Sequence, residues 1–218
     1  MQFILDHLMT IILAGAVLLI LAATQIHAQR SGVEQTASYA TKTKALQFGE
    51  WLEDDILSLG ENFGRNRFRF EVPEVDSLGN TRTFQFYSDA PQMAGDTLRE
   101  MTRYRLLKVG DVDRGGQIIP IFQMTRSVAS MPVVDGVAQT PAESDWSDDG
   151  YSIATLSTFK IRMLDRRGAN TTDVEQGDFI RVEFSLIPQF PVEPEYIREL
   201  YWNATLKVRP FWEPPPTT

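Results

Sequence analysis

Acidic side chains crowd into one segment of the chain that has the ligand types to bind a metal ion. Glu143, Asp145, Asp148 and Asp149 surround Trp146 in the stretch PAESDWSDDG. Carboxylate oxygens are the ligands that Ca²⁺ prefers, but the spacing does not match an EF-hand loop. The pattern favours a solvated acidic loop, with Asp145, Asp148 and Asp149 as the candidate ligands if a metal binds.

Residues suited to catalysis are few. The chain has two histidines, His7 and His27, and no cysteine. Both histidines flank an apolar segment, and a helix would hold them roughly 30 Å apart, too far to share a metal ion. No HExxH motif and no phosphate-binding glycine loop occurs, and the clustered carboxylates lack the burial that a general acid needs. We therefore expect no enzyme activity and no cofactor.

Two sequons offer candidate glycosylation sites. Asn170 is followed by Thr171 and Thr172, and Asn203 is followed by Ala204 and Thr205. Such a sequon is an acceptor only on the surface of a secreted or extracellular domain. Asn170 falls in a predicted loop and is the better candidate of the two.

Charge and cysteine content exclude several kinds of partner and chemistry. The chain of 218 residues carries a formal net charge of −8, so nucleic acid is not an expected partner. The absence of cysteine excludes disulfides and thiolate metal sites. Residues 64–218 are enough for one globular domain.

An uncharged apolar run near the N-terminus extends from Leu8 to Ile26. As a helix it would cover roughly 28 Å, close to the hydrocarbon thickness of a bilayer. A cleaved signal peptide is the alternative, with small residues at Ala22, Ala23 and Ala28. The first seven residues contain no Lys or Arg and include Asp6, which favours a retained span.

The apolar pattern continues beyond Ile26 as one face of a helix. The apolar positions recur mostly every three or four residues, at Val33, Ala37, Ala40, Leu52, Ile56, Leu59 and Phe63, and Ala45 and Phe48 bridge the gap between Ala40 and Leu52. This spacing predicts an amphipathic helix that continues the first one and ends near Gly60 and Gly64. A bend between Arg30 and Gly32 would fit the pattern equally well.

The start of the chain resembles the type IV pilin and pseudopilin superfamily. The residues that carry the resemblance are Phe3-Ile4-Leu5-Asp6-His7-Leu8-Met9, followed by TIILAGAVLLILAATQ. Mature subunits of that family begin with a phenylalanine, a short apolar run and an acid, usually Glu at the fifth position. Asp6 takes that position if the mature chain starts at Gln2, and His7 stands where alignment on Leu8-Met9 would place the acid.

The resemblance implies an assembly role for the N-terminal helix. Asp6 would pair with the terminal amine of a neighbouring subunit, and Phe3, Leu5, Leu8 and Gly15 would lie in the apolar filament core. The partners would be identical or homologous pilin-like subunits. For Asp6 the alternative is a solvated acid at the membrane surface that stabilises the helix N-terminus.

Strand patterns dominate the rest of the chain. The alternating segments are 67–72, 81–87, 103–109, 117–124, 151–164, 179–187 and 197–208. The last three predict a meander, and segments 88–100 and 132–150 predict long loops. We expect an α+β fold in which a long N-terminal helix packs on an antiparallel head. The expected units are residues 1–27 (membrane or filament-core helix), 28–63 (amphipathic continuation) and 64–218 (head).

The texture of the last strands, FKIRMLDRRG followed by strands rich in arginine and aromatics, is similar to that of the larger minor pilins and pseudopilins. The resemblance implies a structural subunit of an adhesion, motility or secretion filament. Such a subunit sits in the cytoplasmic membrane before assembly and in a surface filament afterwards. The alternative is a monomeric, single-pass protein whose β-domain binds a partner.

Overall fold

The computed structural model describes residues 2–59, 73–89, 99–131, 133–134, 137–138, 141–173, 176–188 and 199–207. Its first element is a single helix, α1, from Gln2 to Leu57. At 1.5 Å per residue its 56 residues span about 84 Å. The predicted continuity is confirmed, and the alternative bend between Arg30 and Gly32 is absent from this helix. Residues 58–59 form a turn, and the predicted end markers Gly60 and Gly64 lie outside the described residues.

Burial divides α1 into two parts. From His7 to Ala40 every residue is exposed except Gly15 and Ala37, which are half-buried. From Thr41 onward, one stripe of the helix is buried, at positions 41, 45, 48, 49, 52 and 56. The spacing of three and four residues places that stripe on one side of the helix, facing the head. The change occurs at residue 41, whereas the domain boundaries predicted at 27 and 63 stay predictions.

The head is built on an antiparallel sheet. Its strands are β1 (Glu74–Val75), β2 (Thr81–Asp89), β3 (Arg99–Arg114), β4 (Gln117–Met131), β7 (Ser147–Leu164), β8 (Phe179–Leu186) and β9 (Leu200–Lys207). They lie in the order β1-β2-β3-β4-β7-β8-β9, with each strand antiparallel to its neighbours. A two-stranded ladder of β5 (Val133–Val134) and β6 (Val137–Ala138) and a 3₁₀ turn at Glu143–Asp145 precede β7. The predicted α+β class and the final meander are confirmed.

Several strands are longer than the sequence pattern predicts. β4 extends to Met131 rather than to residue 124. The sequence pattern ends early because the ladder between β4 and β7 is irregular between Thr125 and Ser127. Such an irregularity changes the alternation of buried and exposed side chains along the strand. The buried positions are 122 and 124 before it and 127, 129 and 131 after it. β7 likewise begins at Ser147, so the end of the predicted loop 132–150 is strand. The loop predicted at 88–100 overlaps both β2 and β3 at its ends.

Not every predicted segment falls within the described part. The strand expected at 67–72 and the middle of the 88–100 loop lie outside it. The turn expected around residues 111–116 is present as the β3–β4 hairpin. Gly115 and Gly116 adopt φ of 58° and 89°, a conformation that two-residue hairpin turns require and that glycine accepts without strain.

β7 belongs to two halves of the sheet. Its first half pairs with β4, up to Leu156 opposite Phe122, and its second half pairs with β8. The backbone N–H groups of Phe159 and Ile161 are bonded by the side chains of Asn80 (3.2 Å) and Thr81 (2.9 Å), at the start of β2. These two polar side chains are buried and bring the start of β2 against β7. The sheet is therefore strongly curved around its core.

The core lies between the buried stripe of α1 and the inner face of the curved sheet. Phe48 packs edge-on against Phe184 of β8, with ring centroids 4.9 Å apart. At Gly49 the helix approaches Trp202 of β9 so closely that an added Cβ would lie 2.6 Å from the indole ring. Only glycine allows this approach. Packing of α1 onto β8 and β9 therefore fixes the helix axis relative to the head.

Candidate assembly site and its attachment to the head

The N-terminal part of α1 exposes apolar side chains on all sides. Leu18, Leu19, Ile20 and Leu21 are consecutive and all exposed. Because successive residues are turned by about 100°, four in a row leave no polar face. A helix that is apolar all round is stable only in an apolar environment, since each fully buried leucine or isoleucine contributes about 1.5–3 kcal/mol. An exposed surface of this kind suggests a membrane anchor.

The length of the apolar part matches a bilayer. α1 is the one described helix that is long and apolar enough to cross a membrane, and none of its most apolar stretch is buried within the protein. Residues 27–40 then form an exposed stalk of roughly 21 Å between the apolar segment and the packed head. Arg30 and Glu34 are exposed in this stalk, consistent with an aqueous environment there.

The residues predicted to act in assembly all lie on this free part of the helix. Phe3 is exposed and its ring lies 5.0 Å from that of His7. Leu8 is exposed, and a Cβ added to Gly15 would meet nothing within 4 Å. Leu5 and Asp6 belong to the helix, but their side chains lie outside the described residues. The assembly roles stay predictions, and they require a second molecule.

An ion-pair network ties the other end of α1 to the sheet. The Asp55 carboxylate accepts hydrogen bonds from the Tyr104 hydroxyl on β3 and from Arg126 on β4, at 2.8 Å from Nε and 3.3 Å from Nη2. Arg126 also pairs with Asp149 at the start of β7. The Trp51 ring lies 5.4 Å from that of Tyr104. One arginine thus joins the helix to two strands.

The pKa shifts in this network favour the proton-donating forms of Tyr104 and Arg126. Burial raises the pKa of Tyr104 well above 10, and the neighbouring Asp55 charge raises it further, so the hydroxyl remains a donor. Burial lowers the pKa of the Arg126 guanidinium, but the hydrogen bond to Asp55 and its charge outweigh burial and raise it. Arg126 is therefore held in its protonated form beside Asp55.

The acidic segment is exposed to solvent, as its composition predicts, and it is also paired with arginines. Glu143 accepts hydrogen bonds from Arg103 at 2.8 and 3.0 Å and from Arg105 at 2.7 Å. The Trp146 ring covers the Arg103 guanidinium at 3.9 Å. The hydrogen bond from Arg103, followed by that from Arg105, lowers the pKa of Glu143 to about 2. The segment is thereby fixed across β3.

The three candidate metal ligands have three different partners. Asp145 accepts from the Ala142 N–H at 2.9 Å, Asp148 accepts from Ser127 at 2.9 Å, and Asp149 pairs with Arg126. Within the described ranges no three metal-ligating side chains come together. Side chains of β3 and β4 therefore hold the acidic segment against the sheet, and we call this segment, residues 143–149, the strap.

The sequence analysis missed the arginines and their partners. Arg126 continues the even-numbered series of inward-facing residues that includes Phe122 and Met124. Because a buried charge is costly unless it is paired, this position indicates a carboxylate partner in the core. Asp55 directly precedes the buried Ile56 in the helical stripe. These two signals could have suggested the pair, although only the fold brings residues 71 positions apart together.

Both sequon asparagines are exposed. Asn170 lies in the connection between β7 and β8 and forms an isolated antiparallel β-bridge with Leu164. Asn203 lies on β9. Each stays a candidate acceptor.

Comparisons with protein-family models, with curated proteins and with solved structures found no match to this chain.

Proposed function

We propose that this chain is a pilin-like structural subunit that polymerises through the exposed part of α1 into a surface or envelope-spanning filament. The observation that carries the proposal is the unbroken helix, whose free part is apolar all round and whose last part is buried in the head. Before assembly the membrane surrounds the apolar part. In the filament, the same parts of neighbouring subunits replace the lipid.

The attachment of α1 to the head supports a mechanical role. The helix is joined to the sheet by the Phe48–Phe184 contact, by the close approach at Gly49 and by the Asp55–Arg126 pair. A flexible tether would suffice for a simple anchor. A subunit that holds its head at a fixed position on a filament needs a rigid connection of this kind, because the helix sets the register of the head.

Assembly through the apolar helix assigns roles to the predicted residues. Asp6 is the charged group that pairs with a neighbouring subunit, since an unpaired carboxylate in an apolar bundle is costly. Gly15, with Ala14 and Ala16 beside it, lets neighbouring helices approach closely. Phe3, Leu5 and Leu8 supply apolar surface. The role is structural, with no catalysis and no cofactor.

A charge-removing variant tests the proposal. We expect Asp6→Ala to abolish filaments in material sheared from cells while the chain still inserts into the membrane, because the apolar segment is unchanged. The matched control is Asp6→Glu, which keeps the charge and should retain filaments. Normal filaments from Asp6→Ala would contradict the assembly role and favour a solvated acid.

The second candidate function is a monomeric membrane-anchored domain that binds a partner. One observation favours it: the β3–β4 hairpin exposes the apolar side chains Leu107, Val109 and Ile118 along its length. Exposed apolar area on a rigid element offers surface for a partner. This candidate predicts that the chain is extracted from membranes as a monomer and that no sheared fraction contains it.

A further inference from the structure

The side of α1 that faces away from the head is acidic and partly apolar. Glu50 and Asp54 are exposed one helical turn apart, with Glu53 half-buried beside them. Leu46 and Leu57, 49% and 56% exposed, lie on the same side. No ion pair joins the three carboxylates to other side chains in the part of the chain that the structure describes. We call this surface, residues 46, 50, 53, 54 and 57, the acidic helix face.

The opposite side of the head is basic. Antiparallel register places Lys160 opposite Glu183 and Arg162 opposite Arg181, on the outer side of β7 and β8. Residues directly opposite each other share a face, and the intervening Ile161 and Val182 are buried on the inner one. The exposed Lys207 and Tyr201 of β9 complete what we call the basic sheet face, which holds four cations and one carboxylate in a chain of net charge −8.

The cations of this face are incompletely paired. Arg162 reaches Glu183 only at 3.5 Å, and Arg181 donates to the Thr205 hydroxyl at 3.1 Å. Lys160, Arg181 and Lys207 have no carboxylate partner among the described residues. Like charges directly opposite each other on two strands are destabilising. The Arg162–Arg181 pair therefore favours an anionic surface placed over it.

We propose that the acidic helix face of one copy of this chain binds the basic sheet face of the next copy. The proposal rests on the proposed filament function and names the contact between heads. The two surfaces match in charge, and each offers exposed apolar area: Leu46 and Leu57 on the helix, Tyr201 (57% exposed) on the sheet. Complementary charge fixes orientation and register more than it adds affinity.

The placement of the two faces determines what kind of assembly results. They are different surfaces on opposite sides of the head, because α1 covers the inner side of the sheet and the basic face is the outer side. A contact between unlike surfaces is heterologous and gives either a ring or an open helical filament, whereas contact between like surfaces would close as a dimer. In a filament built on parallel N-terminal helices, the head contact takes the open form.

Cysteine cross-linking of the full-length chain in cells tests this contact, because the native chain has no cysteine. Gln47 and Thr205 are exposed next to the charged residues of the two faces, so their replacement leaves the charges intact. We expect the double variant Gln47→Cys with Thr205→Cys to give a ladder of multimers on oxidation. The matched control, Gln47→Cys with Lys108→Cys on the distant hairpin, should give none.

Charge reversal provides the second test. In the cysteine background, Glu50→Lys with Asp54→Lys should abolish the ladder, as should Arg162→Glu with Arg181→Glu. The chain that carries all four reversals should recover it, because the charges are then exchanged between faces. Failure of the combined variant to recover cross-linking would overturn the proposal.

Electron microscopy of the same cells separates this proposal from the proposed function. Filaments that contain the chain but show no ladder would overturn the head contact alone. Absence of both filaments and ladder would overturn the head contact and the filament function together. Two further results would contradict the contact between unlike faces. One is a dimer from Gln47→Cys alone. The other is retention of the head on an anionic polysaccharide column without a ladder.

Discussion

The two parts of α1 both carry leucine side chains, but these side chains differ in what surrounds them. Leu19 lies in the free part and is 73% exposed, whereas Leu52 lies in the packed part and is fully buried. The free part has no partner within its own head, while the packed part has the whole inner face of the sheet. One helix therefore has two unlike surroundings: its C-terminal part packs in the head, and its N-terminal part is exposed.

The largest difference in the free energy of unfolding should appear when one leucine is truncated to alanine in each part. We expect Leu52→Ala to lower the free energy of unfolding of the head by about 2–5 kcal/mol, because it leaves a cavity in the core. Leu19→Ala should leave that value unchanged. Denaturant unfolding of both variants in the same mild detergent, followed by tryptophan fluorescence, makes the measurement. Equal losses would show that the free part also packs on the head.

Loss of the ion pair at the base of the helix should have the next largest effect. Asp55→Asn keeps the shape but removes the charge that faces the largely buried Arg126, whose side chain is 12% exposed. We expect a loss of about 1.5–3 kcal/mol, the range for hydrogen bonds to charged groups. The control is Asp54→Asn, one residue away on the exposed side, which should stay within about 0.5 kcal/mol of the native chain.

Two glycine substitutions sharpen the comparison further. Gly49→Ala places a methyl group 2.6 Å from the Trp202 ring, so the helix or the indole must shift. Overpacking of this kind costs about 1–3 kcal/mol. Gly15→Ala adds the same methyl group where nothing lies within 4 Å and should leave head unfolding unchanged. A stable Gly49→Ala variant with an unshifted tryptophan emission would contradict the close packing described above.

The smallest effect concerns the strap and depends on pH. Because the folded pKa of Glu143 is lowered to about 2 from 4.5, its stabilising contribution is complete above pH 4.5. That contribution is lost as pH falls toward 2. We expect the native chain to be more stable than Glu143→Gln at neutral pH, and the gap to close as the solution is acidified. A gap independent of pH would show that the Arg103 contact does not depend on the carboxylate charge.

The continuous helix and the strand-rich head could be predicted because their signals are local and periodic. Residues 8–26 are apolar without interruption, and the buried stripe after Thr41 recurs every three or four residues. The extension of β4 past residue 124 could not be predicted, since an irregular ladder reverses the alternation there. A single sequence also does not show which inward-facing arginine meets which carboxylate.

The acidic segment shows the same limit more clearly. Its composition predicts a solvated loop, because nothing nearby in sequence neutralises Glu143 and Asp149. Arg103, Arg105 and Arg126 reach it only through the pairing of β3, β4 and β7. The assembly residues are the opposite case: their pattern is local in the sequence, and their roles stay predictions.

The most direct test of the central claim is electron microscopy of material sheared from cells that make this chain, combined with mass spectrometry of the sheared protein. The proposal predicts filaments that contain the chain, with its N-terminal peptide retained and Asp6 near the start. Recovery of the chain only from detergent-extracted membranes, as a monomer, would contradict it. The free part of α1 would then be a simple membrane anchor.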